Sequence, residues 1–348
     1  MLPDAPAVSI YHQNDTIGSR RNERDFMAEF EFPLWLDGQR TAREKVANLT
    51  AELLDADMES LRLLAAGQLR DALWDVVMNR NEVALYTQKL VHASQLEADV
   101  KMKYEAGELA KTDWMLAQQE TLSAEKSLVR AQAELMHANF RYRQLTGIQE
   151  TPEHFIEQKS VRSNFLQSPI WRAAESRLKK AQGDRDLTHI ERRENPQVIL
   201  NVRDSQGAFD MQYNQSVGVR VKIPLNSAVR SASLLAASEQ LIGDVMADRE
   251  SLLRQLETQL HEAEHNLEVS EMEIKIAKHQ AEIAKENARL ARIAYASGEL
   301  DLTNLLRIQA QSFEADRSYT NREIEMQWNI ARYNQAVGEL PANVLSAE

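Results

Sequence analysis

Two copies of one residue pattern, set 191 positions apart, limit the folds open to this chain more than any other feature. Tyr104-Glu105-Ala106-Gly107-Glu108-Leu109 resembles Tyr295-Ala296-Ser297-Gly298-Glu299-Leu300 at that spacing. The same spacing relates Pro33-Leu34 to Pro224-Leu225, far upstream of the first match. Because one spacing persists over such a distance with no net insertion, the sequence predicts two tandem repeats of a single structural unit.

Long proline-free stretches follow the first proline of each copy. No proline lies between Pro33 and Pro152, and none lies between Pro224 and Pro341. Proline inside a helix costs about 3 kcal/mol, so its absence permits long unbroken helices.

A glycine interrupts each of these stretches and marks a turn between two helices. Gly107 and Gly298 lie at equivalent positions, and glycine tolerates the positive φ that ends many helices. We therefore predict antiparallel helical hairpins over 34–147 and 225–338, with turns near the two glycines. The first helix of each hairpin is expected to run about 65 residues, which is about 100 Å at a rise of 1.5 Å per residue. The second helix is expected to run about 35 residues.

Apolar residues in the second copy repeat in steps of four and three from Leu256 to Tyr295, and only Ser270 is clearly polar. This heptad pattern is typical of packed long helices. A second apolar stripe recurs every seven residues at Val269, Ile276, Ile283 and Leu290. A widened apolar face lets a helix contact neighbours on both sides, as in a cylinder of helices. An ordinary soluble helical bundle remains an alternative explanation of the heptads.

The segment before each long helix alternates apolar and polar residues, which predicts strands. Upstream partner strands are expected from Ala7 to His12 and from Gln197 to Arg203, joined by turn-forming loops at 14–19 and 204–207. This gives β-hairpins over 6–33 and 195–224. The apolar positions of the two alternating strands are Phe26, Ala28, Phe30, Phe32, Val217, Val219, Val221 and Ile223.

Four strands with one apolar and one charged face cannot bury the apolar face on helices that point away from it. A transmembrane β-barrel solves this problem, since it faces lipid with the apolar side and water with the polar side. The eight apolar positions are then lipid-facing. Four strands cannot close a barrel alone, and three copies supply twelve. A small β-subdomain capping a soluble bundle is the alternative.

Composition excludes several functional classes. The net charge of −12 argues against nucleic acid, which requires a basic surface. The chain has no cysteine, so disulfides and thiolate chemistry are absent. No apolar run is long enough for a transmembrane helix, and no signal peptide is recognisable at the start.

Taken together, the motifs resemble the TolC-like outer membrane factor family over nearly the whole chain. The residues that carry the resemblance are Phe30–Arg40 and Val219–Leu225 at the strand-to-helix junctions, Tyr104–Gly107 and Tyr295–Gly298 at the helical turns, and Leu305-Leu306. The resemblance implies a homotrimer with a 12-stranded barrel in the outer membrane and a helical tunnel in the periplasm. It also implies docking, through a periplasmic adaptor, to an inner-membrane pump of the resistance–nodulation–division type. The Phe32–Arg40 sequence is similar to the branch paired with metal-cation pumps.

The same resemblance implies a passive conduit for efflux, with no cofactor and no catalytic residues. Its gate is expected at the periplasmic tips, where the helical turns also meet the adaptor. The expected tip residues are Gly107, Glu108, Leu109, Lys111, Gly298, Glu299, Leu300, Asp301 and Leu302. The alternative is that these are solvated turn residues, with Asp301 as a helix N-cap.

The start of the chain departs from the family pattern. Helical residues from about Ser168 to Glu191, within a connecting segment 148–194, precede the second hairpin, and no matching region precedes Ala7. The expectation is a truncated or mis-started member whose export signal, first helix and lipidation are not visible. A short tail, 339–348, ends the chain.

Two alternatives compete with the duct. His261-Glu262-Ala263-Glu264-His265 fits the H-E-x-x-H motif of zinc metalloproteases. Catalytic zinc requires a third ligand, and the helix continues past the motif with no nearby turn to supply one. The pair is therefore read as incidental, and no metal site is expected. A cytosolic coiled-coil scaffold explains the heptads but not the alternating strands.

Overall fold

A computed structural model describes residues 2–15, 21–152, 155–225 and 228–341. Within these ranges the chain is mainly helical, with one small antiparallel sheet, as the sequence predicted at that level. The elements are β1 (Ala7–Asn14), β2 (Arg24–Pro33), α1 (Gln39–Glu105), α2 (Lys111–Thr146), α3 (Pro169–Glu191), β3 (Gln197–Gln206), β4 (Asn214–Lys222), α4 (Ala228–Ala296) and α5 (Leu302–Ala336). None of the helices in these ranges includes a stretch long and apolar enough to cross a membrane.

The chain divides into two compact units, the first comprising Met1–Asp57 and Arg172–Leu252. This unit contains the sheet, whose strands are ordered β1-β2-β3-β4 and pair antiparallel throughout. The central strands β2 and β3 come from different hairpins, so the two hairpins merge into one sheet. The loop predicted at 14–19 lies mostly outside the described residues.

Helix α3 lies in the first unit between the initial parts of α1 and α4. Arg177 of α3 pairs with Asp57 of α1 at 2.6 Å, and Glu175 of α3 pairs with Arg249 of α4 at 2.5 Å. Small residues on α3 are buried here, including Ala174 and Ala181. Close packing through alanines, with ion pairs at the margins, fixes α3 against both long helices.

A pair of side-chain amides, one of them buried, fixes the junction between β2 and α1. Gln39 is 1% exposed. Its side-chain amide donates to the Asn195 side-chain carbonyl at 3.2 Å, and the Asn195 amide donates back at 2.8 Å. Asn195 also donates to the Leu34 carbonyl at 2.8 Å. The reciprocal bonds satisfy both amides and tie the start of α1 to the residues that lead into β3.

The second unit comprises Met58–Trp171 and Leu253–Glu348 and contains four antiparallel helical segments. Here α1 packs against α2, where Leu73 and Val76 meet Ala138 and Tyr142. On its other side α1 contacts α5, and α5 in turn contacts α4. The spatial order is therefore α2-α1-α5-α4, which we call the helical layer.

Polar contacts define the seam between α1 and α5. Glu82 pairs with Arg317 at 2.9 Å, and the Trp328 indole donates to Asp71 at 3.0 Å. The residue numbers rise along one helix as they fall along the other, so the two helices are antiparallel.

A buried arginine anchors the segment after α2 to this layer. Arg70 is 4% exposed and makes two hydrogen bonds of 2.7 Å to the Glu157 carboxylate. It also donates to the Gln335 side chain at 2.6 Å and to the Glu339 carbonyl at 3.0 Å. The planar guanidinium can satisfy several acceptors at once, so it joins α1, α5 and the 155–168 segment. The predicted tail, 339–348, lies outside the described residues beyond Pro341.

Candidate functional site

The sheet has one continuous apolar face. In the strand register, Ile10 of β1 lies opposite Ala28, which lies opposite Val202, which lies opposite Val217. Neighbouring rows on the same face add Val8, Phe30, Leu200, Val219, Phe32, Val198 and Val221. Much of this face is uncovered, with Val217 80% and Ile10 71% exposed. An apolar surface of this kind marks a site of contact with a protein or a membrane.

The opposite face of the sheet is charged and internally paired. Arg203 of β3 makes bonds of 2.8 and 2.6 Å to the Asp25 carboxylate on β2, and Arg220 of β4 lies 3.3 Å from Glu29. Both signs of charge therefore alternate across neighbouring strands. The charged face is therefore compatible with contact with water, whereas the apolar face is compatible with an apolar environment.

The sheet also has two open edges among the described residues. Strand β1 pairs only with β2, and β4 pairs only with β3. Each edge presents unpaired backbone donors and acceptors, which invites pairing with another strand.

Of the eight positions predicted to face lipid, seven lie in β2 and β4 and share the apolar face. Ile223 follows the end of β4 and is 66% exposed. The lipid-facing positions predicted from sequence did not include the matching residues of β1 and β3, which are Val8, Ile10, Val198, Leu200 and Val202. The same alternation of apolar and polar residues in those strands was the signal that could have identified them.

Tight turns join the paired long helices. Gly107 has a φ of 81° between the ends of α1 and α2, and Gly298 has a φ of 79° between α4 and α5. Nothing approaches the position of a side chain at either glycine, so the left-handed backbone alone explains the residue type. Glu108 and Glu299, next to these glycines, are exposed.

An apolar cluster lies beneath the two turns. Leu302 is 4% exposed and packs with Val100, Ala117, Ala291 and Leu305. Among the predicted tip residues, Leu109 and Leu300 are partly buried against this cluster, while Lys111 and Asp301 are exposed. The apolar tip residues thus hold the turns together, and the polar ones face outward.

The Asp301 side chain is the N-cap of α5. It accepts a hydrogen bond of 2.8 Å from the Asn304 backbone amide. This bond, with one from the Asn304 side chain, lowers the pKa of the Asp301 carboxyl. The cap stabilises the start of α5 while the carboxylate is ionised.

Aromatic and basic side chains surround the cluster. Tyr104 stacks on Trp114 with ring centroids 5.5 Å apart, and the Lys103 ammonium lies 4.9 Å from the Tyr295 ring. The Tyr295 hydroxyl is buried and has no hydrogen-bond partner among the described residues. Burial, followed by the negative charges of Asp113 and Asp99, raises the pKa of this hydroxyl.

The two outer helices of the layer carry exposed apolar stripes. On α2 the stripe recurs every seven residues at Met115, Leu122, Val129 and Met136, each 56–63% exposed. On α4 it recurs at Ile276, Ile283 and Leu290, each 51–60% exposed. Periodic apolar residues on an outer face are typical of a helix that packs against a further helix.

The H-E-x-x-H motif lies on α4 with both histidines exposed. Their rings are 6.4 Å apart and inclined by 11°. Across the described parts of the chain, no group of three or more His, Cys, Asp or Glu side chains is arranged to hold a metal ion. Within the described residues, a single copy therefore offers the two imidazoles of this motif without a third ligand.

Comparisons with known proteins identify the class of this fold. The family model "Outer membrane efflux protein" matches residues 9–148. The cobalt-zinc-cadmium resistance protein CzcC of Cupriavidus metallidurans is 24% identical over 263 residues, which are 68% of this chain and 60% of that protein. The chain thus spans less than two thirds of the length of this curated relative.

Solved structures match over almost the whole chain. The outer membrane protein VceC of Vibrio cholerae has a TM-score of 0.77 at 14% identity, covering 96% of this chain and 86% of that one. The open state of the MtrE outer membrane channel of Neisseria gonorrhoeae has a TM-score of 0.74 at 16% identity, covering 96% and 81%.

These matches do not support the metalloprotease alternative, since they point to outer membrane channel proteins rather than enzymes. They agree with the fold, in which two sets of strands and long helices repeat along the chain. Residues 9–148 are thus similar to the outer membrane efflux protein family, and the fold over almost the whole chain is similar to those of VceC and MtrE.

Proposed function

We propose that this protein is the outer membrane channel of a tripartite efflux system, a passive conduit from the periplasm to the exterior. The sheet is the observation that carries the proposal. One face is apolar and exposed while the other bears paired charges, which is the division that a water-filled barrel in lipid requires.

The open edges of the sheet support a closed oligomer. Strand β4 of one copy can pair with β1 of the next, and this pairing satisfies the backbone groups at both edges. Three copies give a 12-stranded barrel, and small barrels of lower strand number leave little room for a lumen. The protein is therefore a homotrimer in the outer membrane, with its helices in the periplasm.

The exposed stripes on α2 and α4 support the same assembly. Each stripe lies on an outer helix of the layer, so the two meet when copies stand side by side. A closed ring of helices leaves neither stripe exposed.

The helical turns are the place where such a conduit can open and where it meets a periplasmic adaptor. The outward polar residues, Glu108, Lys111, Glu299 and Asp301, are exposed and therefore accessible to a partner protein. Leu109, Leu300 and Leu302 hold the cluster beneath the turns. Opening requires this cluster to change from one packed arrangement to another. The packing of these leucines therefore controls whether the turns can move apart.

The substrate class follows from the relative CzcC, which is named for resistance to cobalt, zinc and cadmium. We infer that this channel serves a resistance–nodulation–division pump that exports divalent metal cations. The pump supplies the energy, and the channel contributes no chemistry of its own.

Oligomeric state and location test the proposal together. The chain is expressed in a Gram-negative host with an export signal fused before Met1, and its membranes are fractionated. Native mass spectrometry of the detergent extract is expected to give a trimer from the outer membrane fraction. A monomer or dimer that remains soluble without detergent would contradict the channel and favour a coiled-coil scaffold.

A further inference from the structure

His261 and His265 lie one turn apart on the face of α4 that is directed away from α5. Ala263, on the opposite side of the same turn, packs against Tyr333 of α5. Residues four apart on a helix share a face, so both imidazoles can bind one ion. The missing element is a third ligand, and the internal duplication indicates where it comes from.

By the spacing of 191, α4 is the counterpart of α1, and α2 is the counterpart of α5. Within one copy, α1 packs against α5. By this correspondence, the equivalent face of α4 is expected to pack against an α2 helix. At the level of the histidines, α4 packs against α5 and α5 packs against α1, so these two helices separate α4 from the α2 of its own copy and this partner must come from a second copy. This step rests on the oligomer of the proposed function.

Charge and shape agree with that pairing. Glu82 pairs with Arg317 at 2.9 Å between α1 and α5. The counterparts of these residues are Glu273 on α4 and Lys126 on α2, so the opposite charges are retained. The exposed stripes of α2 and α4 supply the apolar contacts along the same seam.

The register then places a histidine opposite the motif. Trp328 of α5 donates to Asp71 of α1 at 3.0 Å. The counterpart of Asp71 is Glu262, between the two histidines, and the counterpart of Trp328 is His137 on α2. His137 is exposed in the single copy.

We propose that His261 and His265 of one copy and His137 of the next form a binding site for a divalent transition-metal ion such as Zn²⁺ or Co²⁺. One site forms at each interface of the trimer. Three imidazoles suit these ions and leave a fourth position for water. The Glu262 carboxylate, opposite His137, accepts a hydrogen bond from the ring nitrogen that does not bind metal.

The surroundings favour a cation. Glu257, Glu264 and Glu268 flank the histidines along α4. The nearest basic residue on α2, Arg141, is held within its own copy by Asp75, to which its Nε donates at 3.1 Å. The ion links two copies, so binding stabilises the assembled state over the separate chains.

Cobalt binding by the purified trimer tests the site. The protein carries a non-histidine affinity tag, is stripped with a chelator and is titrated with Co²⁺ alone. We expect one ion per chain, a visible absorption band from tetrahedral cobalt that Zn²⁺ abolishes, and a higher unfolding temperature for the loaded trimer.

Single variants separate the site from incidental surface binding. His137→Ala, His261→Ala and His265→Ala should each weaken cobalt binding at least tenfold, and Glu262→Gln should weaken it about 10- to 100-fold. His279→Ala is the matched control, because His279 is exposed on the same helix and lies beside Glu282 rather than the motif. It should bind cobalt as the parent protein does.

The register across copies has its own test, because the chain contains no cysteine. In a His137→Cys, Glu262→Cys variant, a short bis-maleimide should join chains into covalent dimers and trimers. The matched control pairs His137→Cys with His279→Cys and should stay uncrosslinked.

The outcomes distinguish this inference from the proposed function. Each variant is first measured for trimer formation without metal, so a folding defect is detected separately. A trimer that takes up no cobalt, or whose uptake persists in His137→Ala, overturns the metal site and leaves the channel proposal intact. Failure of the parent protein to form a trimer overturns both.

Discussion

Ser270 and Asn329 form a hydrogen bond in the interior of the seam between α4 and α5, where the Asn329 amide donates to the Ser270 hydroxyl at 2.7 Å. Each residue is 5% exposed. Ser270 is the clearly polar position in the heptad pattern of α4, and its partner explains why it is tolerated there. A single buried polar pair satisfies itself only in one register, so it fixes the alignment of the two helices.

Replacing Ser270 by alanine should destabilise the protein, because the Asn329 amide remains buried without this acceptor. The expected loss in the free energy of unfolding is about 1–3 kcal/mol. The double variant Ser270→Ala, Asn329→Leu removes both polar groups and should recover most of the loss. Denaturant unfolding followed by circular dichroism measures both.

Ser251→Ala is a suitable control, since Ser251 is exposed on the same helix and should change stability by less than about 0.5 kcal/mol. Equal losses in the single and double variants would show that the pair does not act through an unsatisfied amide.

The sequence predicted the long helices, their glycine turns and the alternating strands from local patterns. It could not predict the contact between Ser270 and Asn329, because the heptad identifies a face of α4 without naming the partner helix. The contacts of the buried Arg70 could not be predicted for a similar reason. Its acceptors, Glu157, Gln335 and the Glu339 carbonyl, are distant in sequence and come together only in the folded unit.

Two equivalent glycines should differ in their tolerance of alanine. Gly147 and Gly338 have φ values of 72° and 79°, so both carry the backbone cost of a left-handed alanine, about 1–2 kcal/mol. At Gly338, however, a Cβ would lie 2.6 Å from the Ser168 Cα, whereas nothing lies near Gly147. Gly338→Ala should therefore lower the unfolding temperature further than Gly147→Ala. Thermal melts of the two variants give the comparison, and equal shifts would argue against the close packing.

Tyr333, which is buried, and Tyr295, which is partly buried with a buried hydroxyl, should differ in their response to loss of the hydroxyl at neutral pH. The Tyr333 hydroxyl donates to the Arg162 carbonyl at 2.6 Å, whereas the Tyr295 hydroxyl has no partner among the described residues. Tyr333→Phe should cost about 0.5–1.5 kcal/mol. Tyr295→Phe should leave stability unchanged or increase it, as measured by unfolding at pH 7.

Alkaline pH adds a second readout for Tyr295. Its pKa is raised above the ordinary value of 10.0, mainly by burial, so the unfolded chain ionises first as the pH rises. The contribution of this hydroxyl to the free energy of unfolding is therefore fully present below about pH 10. It is lost as the pH rises through the pKa that the hydroxyl has in the folded protein. Tyr295→Phe removes this contribution, and the fall in unfolding temperature from neutral pH to above pH 10 should be smaller. An unchanged slope would mean that this hydroxyl is ionised equally in both states.

The two faces of the sheet could be predicted only in part from sequence. Alternation in β2 and β4 identified their apolar positions, but β1 and β3 were assigned as strands without a face. Their alignment depends on the antiparallel pairing of β2 with β3, which joins the two repeats and is not visible within either one. The third ligand of the proposed metal site lies on a second copy, whereas the sequence argument considered the ligands of one chain alone.

Introducing a charge on either face of one strand should distinguish a membrane barrel from a soluble sheet. Val219 and Ser216 both lie on β4, with Val219 on the apolar face and Ser216 on the charged face. In lipid, an arginine on the apolar face costs about 2–4 kcal/mol near the middle of the membrane, whereas one facing water costs little. Val219→Arg should therefore reduce the trimer recovered from the outer membrane, and Ser216→Arg should not.

The same pair of variants distinguishes the alternative. If the apolar face instead covers a soluble partner, Val219→Arg should release the protein from that partner without changing its membrane fraction. Val219 is 70% exposed in the single chain, so an arginine there meets no internal packing, and any loss must come from what covers the face in the assembly. Heat-modifiable migration on gels, with and without boiling, measures the assembled fraction. Equal recovery of both variants from the outer membrane would contradict the lipid-facing assignment of β4.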